Sequence, residues 1–293
     1  MSSLKNLNII FSTNDIGVSY MLVAIHSIMA HNTDLNFHFY ILNSGLKKRN
    51  KNAIRALTDA HSTRVSFITI DDSLFNDISV KNRAVPKQGY YRYLSPTIIK
   101  ENRALYLDID MMCTGNIEPL YSQNLEGNYI GWVRDTMIFR RADSVAARLG
   151  FNEIDNLYFN SGLILMDLEA MRKNKIVEIF FENIKNRSGL IPKKYDIFND
   201  QTIANLTFTR SLNLGLKYNT LLKTFDCDEI TYSPVFVHFS GRHKPLTYYN
   251  DNTISFMDKY YRYTRELEII VGYDILYEII KLAGYKSTSY IGN

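Results

Sequence analysis

Short apolar runs alternating with helical periodicity over residues 7–70 constrain this chain more than any other feature of it. Residues 7–11 form a compact β-like run, followed by the polar turn Ser12-Thr13-Asn14-Asp15. Met21, Ile25, Ile28 and Met29 then recur at helical spacing. Residues 37–42 predict a second strand, 47–60 a helix and 65–70 a third strand. A β-α-β-α-β order calls for an α/β fold with a mostly parallel central sheet flanked by helices, and for ligands at the carboxyl ends of its strands. No Gly-x-Gly-x-x-Gly or Walker pattern follows the first strand, which argues against a dinucleotide or phosphate-loop site. The turn after that strand can instead cradle a base and ribose, or simply cap a helix.

A later strand carries the chemistry. The run Arg103-Ala104-Leu105-Tyr106-Leu107 ends in Asp108-Ile109-Asp110. In an extended backbone, side chains two apart share a face, so the two carboxylates can project together. Paired carboxylates at a strand end suit a hard divalent cation, which can bridge a nucleotide diphosphate and neutralise charge as a sugar bond breaks. Two solvated acids at a strand end fit the same residues. Upstream, Gly89-Tyr90-Tyr91-Arg92-Tyr93-Leu94 predicts a helix entering the site, with Arg92 reaching a phosphate or sugar hydroxyl, or stacked on tyrosine at the surface. Downstream come a strand over 129–133 with Arg134-Asp135 behind it, and a polar loop or short helix over 140–155. Phe159-Asn160-Ser161-Gly162 leads into a strand over 163–166 and one amphipathic helix over 168–184. Phe198-Asn199-Asp200-Gln201 opens another helical stretch, with Asp200 a candidate N-cap. The last strand, 235–239, contains His238, either a ligand or a satisfied polar group. The basic turn Gly241-Arg242-His243-Lys244-Pro245 behind it suits a diphosphate.

The chain has 293 residues, 46% hydrophobic and 22% charged, ordinary globular proportions with room for one large α/β domain. A net charge of +4 is too mild to point to nucleic acid. Only Cys113 and Cys227 occur, so no disulfide framework is implied. The N-terminal residues lack the pattern of a secretory signal, and no run reaches the ~18 apolar residues of a membrane span, so a cytoplasmic protein is expected. After Lys244, the basic residues Lys259, Arg262 and Arg265 lie among Tyr248, Tyr249, Phe256, Tyr260, Tyr261 and Tyr263. Ile269, Tyr273, Leu276 and Ile280 follow at helical spacing, with Val271, Ile275 and Ile279 widening the stripe. That combination suits an anionic membrane surface on the inner face of the cytoplasmic membrane, or a helix packed on the domain or on another subunit.

Four motifs in this order, Tyr106-Leu-Asp-Ile-Asp110, Phe159-Asn-Ser-Gly162, Asp200-Gln201 and His238-Phe-Ser-Gly-Arg-His-Lys-Pro245, resemble glycosyltransferase family 8. That family holds retaining sugar transferases, among them bacterial lipopolysaccharide galactosyl- and glucosyltransferases and, more distantly, glycogenin. The resemblance runs from about Asn8 to Leu246. It implies a GT-A-type α/β catalytic domain over 1–246, with 247–293 a basic, aromatic and helical extension. It implies a UDP-hexose donor and a glycan or glycolipid acceptor. By the same resemblance Asp108, Asp110 and His238 hold Mn²⁺, with Mg²⁺ an alternative, and Gly241 and Lys244 hold the diphosphate. Thr13, Asn14, Asp15 and Ile109 fall at donor positions, as do Arg92, Asn160, Ser161, Asp200 and Gln201, while Asp135 falls at an acceptor position. Asn14 stands where the family often has an acid, and Leu246 where it often has Trp.

The resemblance thus predicts a metal-dependent transferase moving glucose or galactose onto a lipopolysaccharide core or lipid-linked oligosaccharide. Gln201 falls nearest the anomeric carbon, and an amide is a poor nucleophile, so a front-face reaction is expected, with Asp200 the fallback nucleophile. Two alternatives fit the same motifs: a glycogenin-like self-glucosylating primer, and a non-catalytic glycan- or nucleotide-binding protein. The full set Asp108, Asp110 and His238 argues against the latter.

Overall fold

The computed structural model of the protein describes residues 6–75, 87–140, 145–152, 154–186, 199–226, 230–241, 244–245 and 251–288. Its larger sheet consists of β1 (Asn6–Thr13), β2 (Asn36–Asn43), β3 (Arg64–Thr69), β4 (Arg103–Leu107), β6 (Ile130–Arg134), β7 (Phe159–Asp167) and β8 (Ser211–Asn213). A smaller sheet is made of β5 (Met111–Cys113), β9 (Thr220–Leu221) and β10 (Phe236–His238). The larger has the order β3-β2-β1-β4-β7-β6-β8, the smaller β5-β10-β9. β1, β2, β3 and β4 run parallel, as the alternation of strands and helices predicts. β7 is antiparallel to both β4 and β6. The result is the mixed, mostly parallel α/β architecture expected from the sequence.

Side-chain alternation along the central strands divides the interior in two. Leu7, Ile9 and Phe11 of β1, Leu105 and Leu107 of β4, and Leu163 and Leu165 of β7 face one layer. There they meet helices Val18–His31, Lys48–Ala60 and Ile254–Val271. The intervening residues Ile10, Ala104, Tyr106, Ile164 and Met166 face the other layer, with Tyr93, Phe180 and Phe208. Each fully buried large apolar side chain contributes ~1.5–3 kcal/mol.

Three elements differ from their sequence patterns. The helix expected over 168–184 is two helices, Leu168–Lys173 and Ile176–Lys185, because Lys175 sits at φ 51° in the left-handed region and breaks the turn between them. β7 begins at Phe159, so Asn160, Ser161 and Gly162 lie within the strand instead of leading into it. The C-terminal stripe does not belong to one helix: Gly272, left-handed at φ 75°, separates Ile254–Val271 from Ile275–Thr288. The inward side chains are consequently Met257, Tyr260, Tyr263, Leu267, Ile275 and Ile279, while Ile269 and Ile280 point outward. The boundary expected at 246–247, the turn residues Arg242 and His243, and Leu246 lie outside the described residues.

Since Leu267 is fully buried against the main core, Leu267→Ala is expected to cost ~2–5 kcal/mol of unfolding free energy in urea titration. A loss below ~1 kcal/mol would mark the C-terminal helices as an appendage instead of core.

Candidate active site

The site lies where β4 ends and the chain passes from the larger sheet to the smaller. Asp108, Ile109 and Asp110 are not an extended pair; they form a turn between β4 and β5. The antiparallel partner β7 presents its N-terminal end there, Leu107 opposite Leu163, and the Asp108 N–H donates to the Gly162 carbonyl at 2.7 Å. β5 then pairs with β10, Met111 opposite His238, and the Phe239 N–H donates to the Asp110 carbonyl at 2.9 Å. Two registers therefore bring Asp108, Asp110 and His238 together from distant parts of the chain.

One ligand atom from each of these three residues lies within 4.8 Å of the other two. His238 Nε2 is 3.4 Å from Asp110 Oδ1 and 3.8 Å from Asp108 Oδ2. Two carboxylates and an imidazole nitrogen aimed at one point fit a divalent cation that accepts both oxygen and nitrogen. Lys244, from the turn after β10, ion-pairs with Asp110 and donates to the Phe239 carbonyl at 3.1 Å. Burial works against the charged form of Asp110, but Lys244 and His238 outweigh it and hold the carboxyl well below the ordinary range. Gly241 occupies the same turn.

Arg92 is 5% exposed, not the surface arginine that the helix pattern allowed. Its Nη1 lies 3.2 Å from Asp108 Oδ1 and its Nη2 3.5 Å from Asp200 Oδ2. Its guanidinium covers the Tyr106 ring at 4.4 Å and donates to the Ser161 carbonyl. Burial opposes its charge, yet Asp108, with Tyr106, Tyr93 and Asp200, keeps it firmly cationic. Burial raises the Asp200 pKa above the usual carboxylate range, with Arg92 opposing and Asp108 adding to the rise. Asp200 is thus engaged with Arg92 in the first turn of helix Asn199–Thr207, a different task from the N-cap its position suggested.

The residues matched to the donor sugar form one buried network. Gln201 Oε1 accepts from the Ser161 N–H at 3.0 Å and from its hydroxyl at 3.3 Å, and Gln201 Nε2 donates to Asp135 Oδ2 at 3.2 Å. Asn160 Nδ2 donates to the same Asp135 oxygen at 3.4 Å. The other Asp135 oxygen accepts from the Met137 and Ile138 N–H groups at 3.0 and 3.1 Å. Asp135 therefore stands with Asn160 and Gln201. Among the first-turn residues, Asn14 Oδ1 caps the Ile16 and Gly17 N–H groups at 3.0 and 3.1 Å. Asp15 Oδ1 accepts from the Lys47 N–H at 2.9 Å and from Asn50 at 2.6 Å, tying the turn to the next helix. Thr13 donates to the Asn14 carbonyl at 3.0 Å. Ile109 and Thr13 both lie against Gly17, where an added Cβ would stand 2.4 Å from Ile109 Cδ1 and 2.8 Å from Thr13 Oγ1, so this turn borders the acidic turn.

Sequence reasoning missed three contributors. Tyr106 donates to Asp108 Oδ1 at 2.7 Å, which the alternation of β4 had assigned to apolar packing. Asn219 faces His238 Nδ1 at 2.9 Å, and no local signal marks it. Gly162 lies so close to the His238 ring that a Cβ built on it would stand 2.3 Å from Cε1. The Asn-Ser-Gly run was the available signal for that last contact.

The profile of glycosyl transferase family 8 matches residues 8–248. The chain belongs to this family. It is similar to the lipopolysaccharide 1,2-glucosyltransferase of Escherichia coli, 28% identical over 236 residues, covering 76% of this chain and 68% of that protein. Glycosyltransferase GlyF of Streptococcus pneumoniae is 25% identical over 234 residues, covering 77% of this chain and 54% of the relative, so this chain spans little more than half of that protein. In structure it resembles the galactosyltransferase LgtC in complex with donor and acceptor sugar analogs, with TM-score 0.74 and 21% identity over 88% of this chain and 95% of the other. That likeness places the architecture among GT-A-type folds.

The Asp110–Lys244 pair has a pH signature. A carboxyl held below its unfolded value of 3.8 adds stability that is complete above that value and is lost as pH falls through the folded one. Lys244→Met should therefore lower unfolding free energy at pH 7, and the gap between variant and wild type should narrow in urea titrations below pH ~4. A gap that does not change with pH would contradict an electrostatic origin.

Proposed function

We propose that this chain is a metal-dependent, retaining glycosyltransferase that moves glucose or galactose from a UDP-sugar to a bacterial surface glycan. The convergence of Asp108, Asp110 and His238 beside Lys244 carries this reading, because three ligand atoms so close together could hold a cation with a further positive charge next to it. The name of the lipopolysaccharide 1,2-glucosyltransferase relative supports a lipopolysaccharide acceptor. A bound Mn²⁺ or Mg²⁺ would neutralise charge on the donor diphosphate as the sugar leaves.

The chain's own groups account for the rest. Lys244 supplies an ammonium where charge develops on the leaving diphosphate. Asn160, Gln201 and Asp135 make a pre-organised polar wall for the hexose. Neither nearby carboxylate suits a covalent intermediate: Asp135 accepts four hydrogen bonds, and Asp200 is buried against Arg92. A front-face displacement follows. The acceptor oxygen bonds to the anomeric carbon on the side where the bond to UDP breaks, and the acceptor proton passes to the leaving diphosphate oxygen. Calorimetry of UDP binding with Mn²⁺ and with chelator tests the cation. Binding should weaken sharply without metal, and Asp110→Asn should weaken the metal-dependent part by ~10–100-fold or more. Equal affinity in both conditions would overturn the cation-dependent reading, and a β-linked product from an α-linked UDP-hexose, read by proton NMR, would overturn retention.

The outer face of the C-terminal helices favours a peripheral place on an anionic membrane. Tyr261 and Ile269, the latter 87% exposed, lie on the solvent side of Ile254–Val271 with Arg262 and Arg265, which pair with Glu266 and Glu268 of the same helix, and Tyr277 and Ile280 are exposed on the next helix. Charge reversal at Arg262 and Arg265 should reduce flotation with phosphatidylglycerol vesicles while leaving UDP binding intact. Unchanged flotation would remove the membrane reading.

A further inference from the structure

The hydrogen bonds around His238 settle which ring nitrogen carries its proton. The Gly162 backbone N–H can only donate, and it donates to Asn160 Oδ1 at 3.0 Å. The Asp135 carboxylate accepts, and it receives Asn160 Nδ2 at 3.4 Å. The Asn160 amide is therefore oriented at both ends. Its Oδ1 also faces Asn219 at 2.9 Å, so the Asn219 atom there must be the Nδ2 donor. The opposite end of Asn219 is then its carbonyl oxygen, 2.9 Å from His238 Nδ1. A carbonyl oxygen accepts only, so Nδ1 bears a proton, and Nε2, which faces Asp108 and Asp110, is the nitrogen whose lone pair the neutral ring would offer to a cation.

We propose that Asn219 is a positioning residue of the cation site, fixing the His238 tautomer and joining that site through Asn160 to Asp135 and Gln201. This rests on the cation-dependent reading given above. Asn219, Asn160, Asp135 and His238 are 4%, 8%, 8% and 3% exposed, so water offers little competition for these bonds. Strand pairing sets the spacing: β9 lies parallel to β10 with Leu221 opposite His238, and Asn219 immediately precedes β9. The missing side chain of Gly162 leaves room for the Cε1–Nδ1 edge of the ring, the edge that meets the Asn219 amide. The same chain of amides ends at the residues expected around the donor sugar, so the cation site and the sugar wall share one oriented network.

Two measurements test this. In protein labelled with ¹⁵N-histidine, in chelator and mildly alkaline buffer, two-bond ring correlations report the tautomer, and His238→Gln assigns the signal. The Nδ1–H form is expected in the wild type, and an Nε2–H form overturns the proposal whether or not any variant folds. Separately, free Mn²⁺ is titrated by electron paramagnetic resonance with UDP present. Asn219→Ala should weaken Mn²⁺ binding by ~10–100-fold with an unchanged circular dichroism spectrum. An Mn²⁺ affinity in Asn219→Ala within about twofold of wild type overturns the positioning role. Absence of Mn²⁺-dependent UDP binding in the wild type would instead refute the cation-dependent reading, and the tautomer would still decide the orientation of Asn219.

Discussion

Bringing two carboxylates to one point is the constraint on which the rest of this structure depends. Like charges ~4 Å apart repel by ~4 kcal/mol at the effective dielectric of a protein surface. Asp108 and Asp110 cannot share a turn without opposing charge and donated hydrogen bonds. Arg92 reaches Asp108 from the helical segment before β4, Tyr106 donates to it from within β4, and Lys244 reaches Asp110 from the turn after β10. Each partner comes from a different element, so the site exists only when both sheets are assembled.

The compensation is uneven. Arg92 is buried, serves Asp108 and Asp200 together, and rests on the Tyr106 ring, so its removal would leave two carboxylates without their partner. Lys244, somewhat more exposed than Arg92, comes from the segment after β10 and pairs with Asp110.

The C-terminal helices show how a sequence pattern can mislead about which face is buried. Isoleucines at helical spacing across residues 269–280 suggested one stripe, but Gly272 interrupts the helix and resets the phase. Leu267, Ile275 and Ile279 turn inward and Ile269 and Ile280 outward. Tyr260 of the first of these helices packs edge-on against Phe239, the residue after His238, with ring centroids 5.2 Å apart. The C-terminal segment therefore braces the small sheet from behind while Ile269 and Ile280 face outward.

The sequence by itself determined the strands and helices of the first 70 residues, the parallel order of β1 to β3, the acidic turn after β4 and the histidine on the last strand. Those features depend on local periodicity and on residue type, both of which are written along the chain. Tertiary structure alone decided that Arg92 is buried between Asp108 and Asp200, that Asp135 stands with Gln201, and that Asn219 faces His238. These contacts depend on the registers of β4 with β7, β5 with β10 and β9 with β10. A shift of one residue in any of those registers would turn the same side chains to the opposite face, and nothing in the local pattern of Asn219 or Arg92 records which register the folded chain adopts.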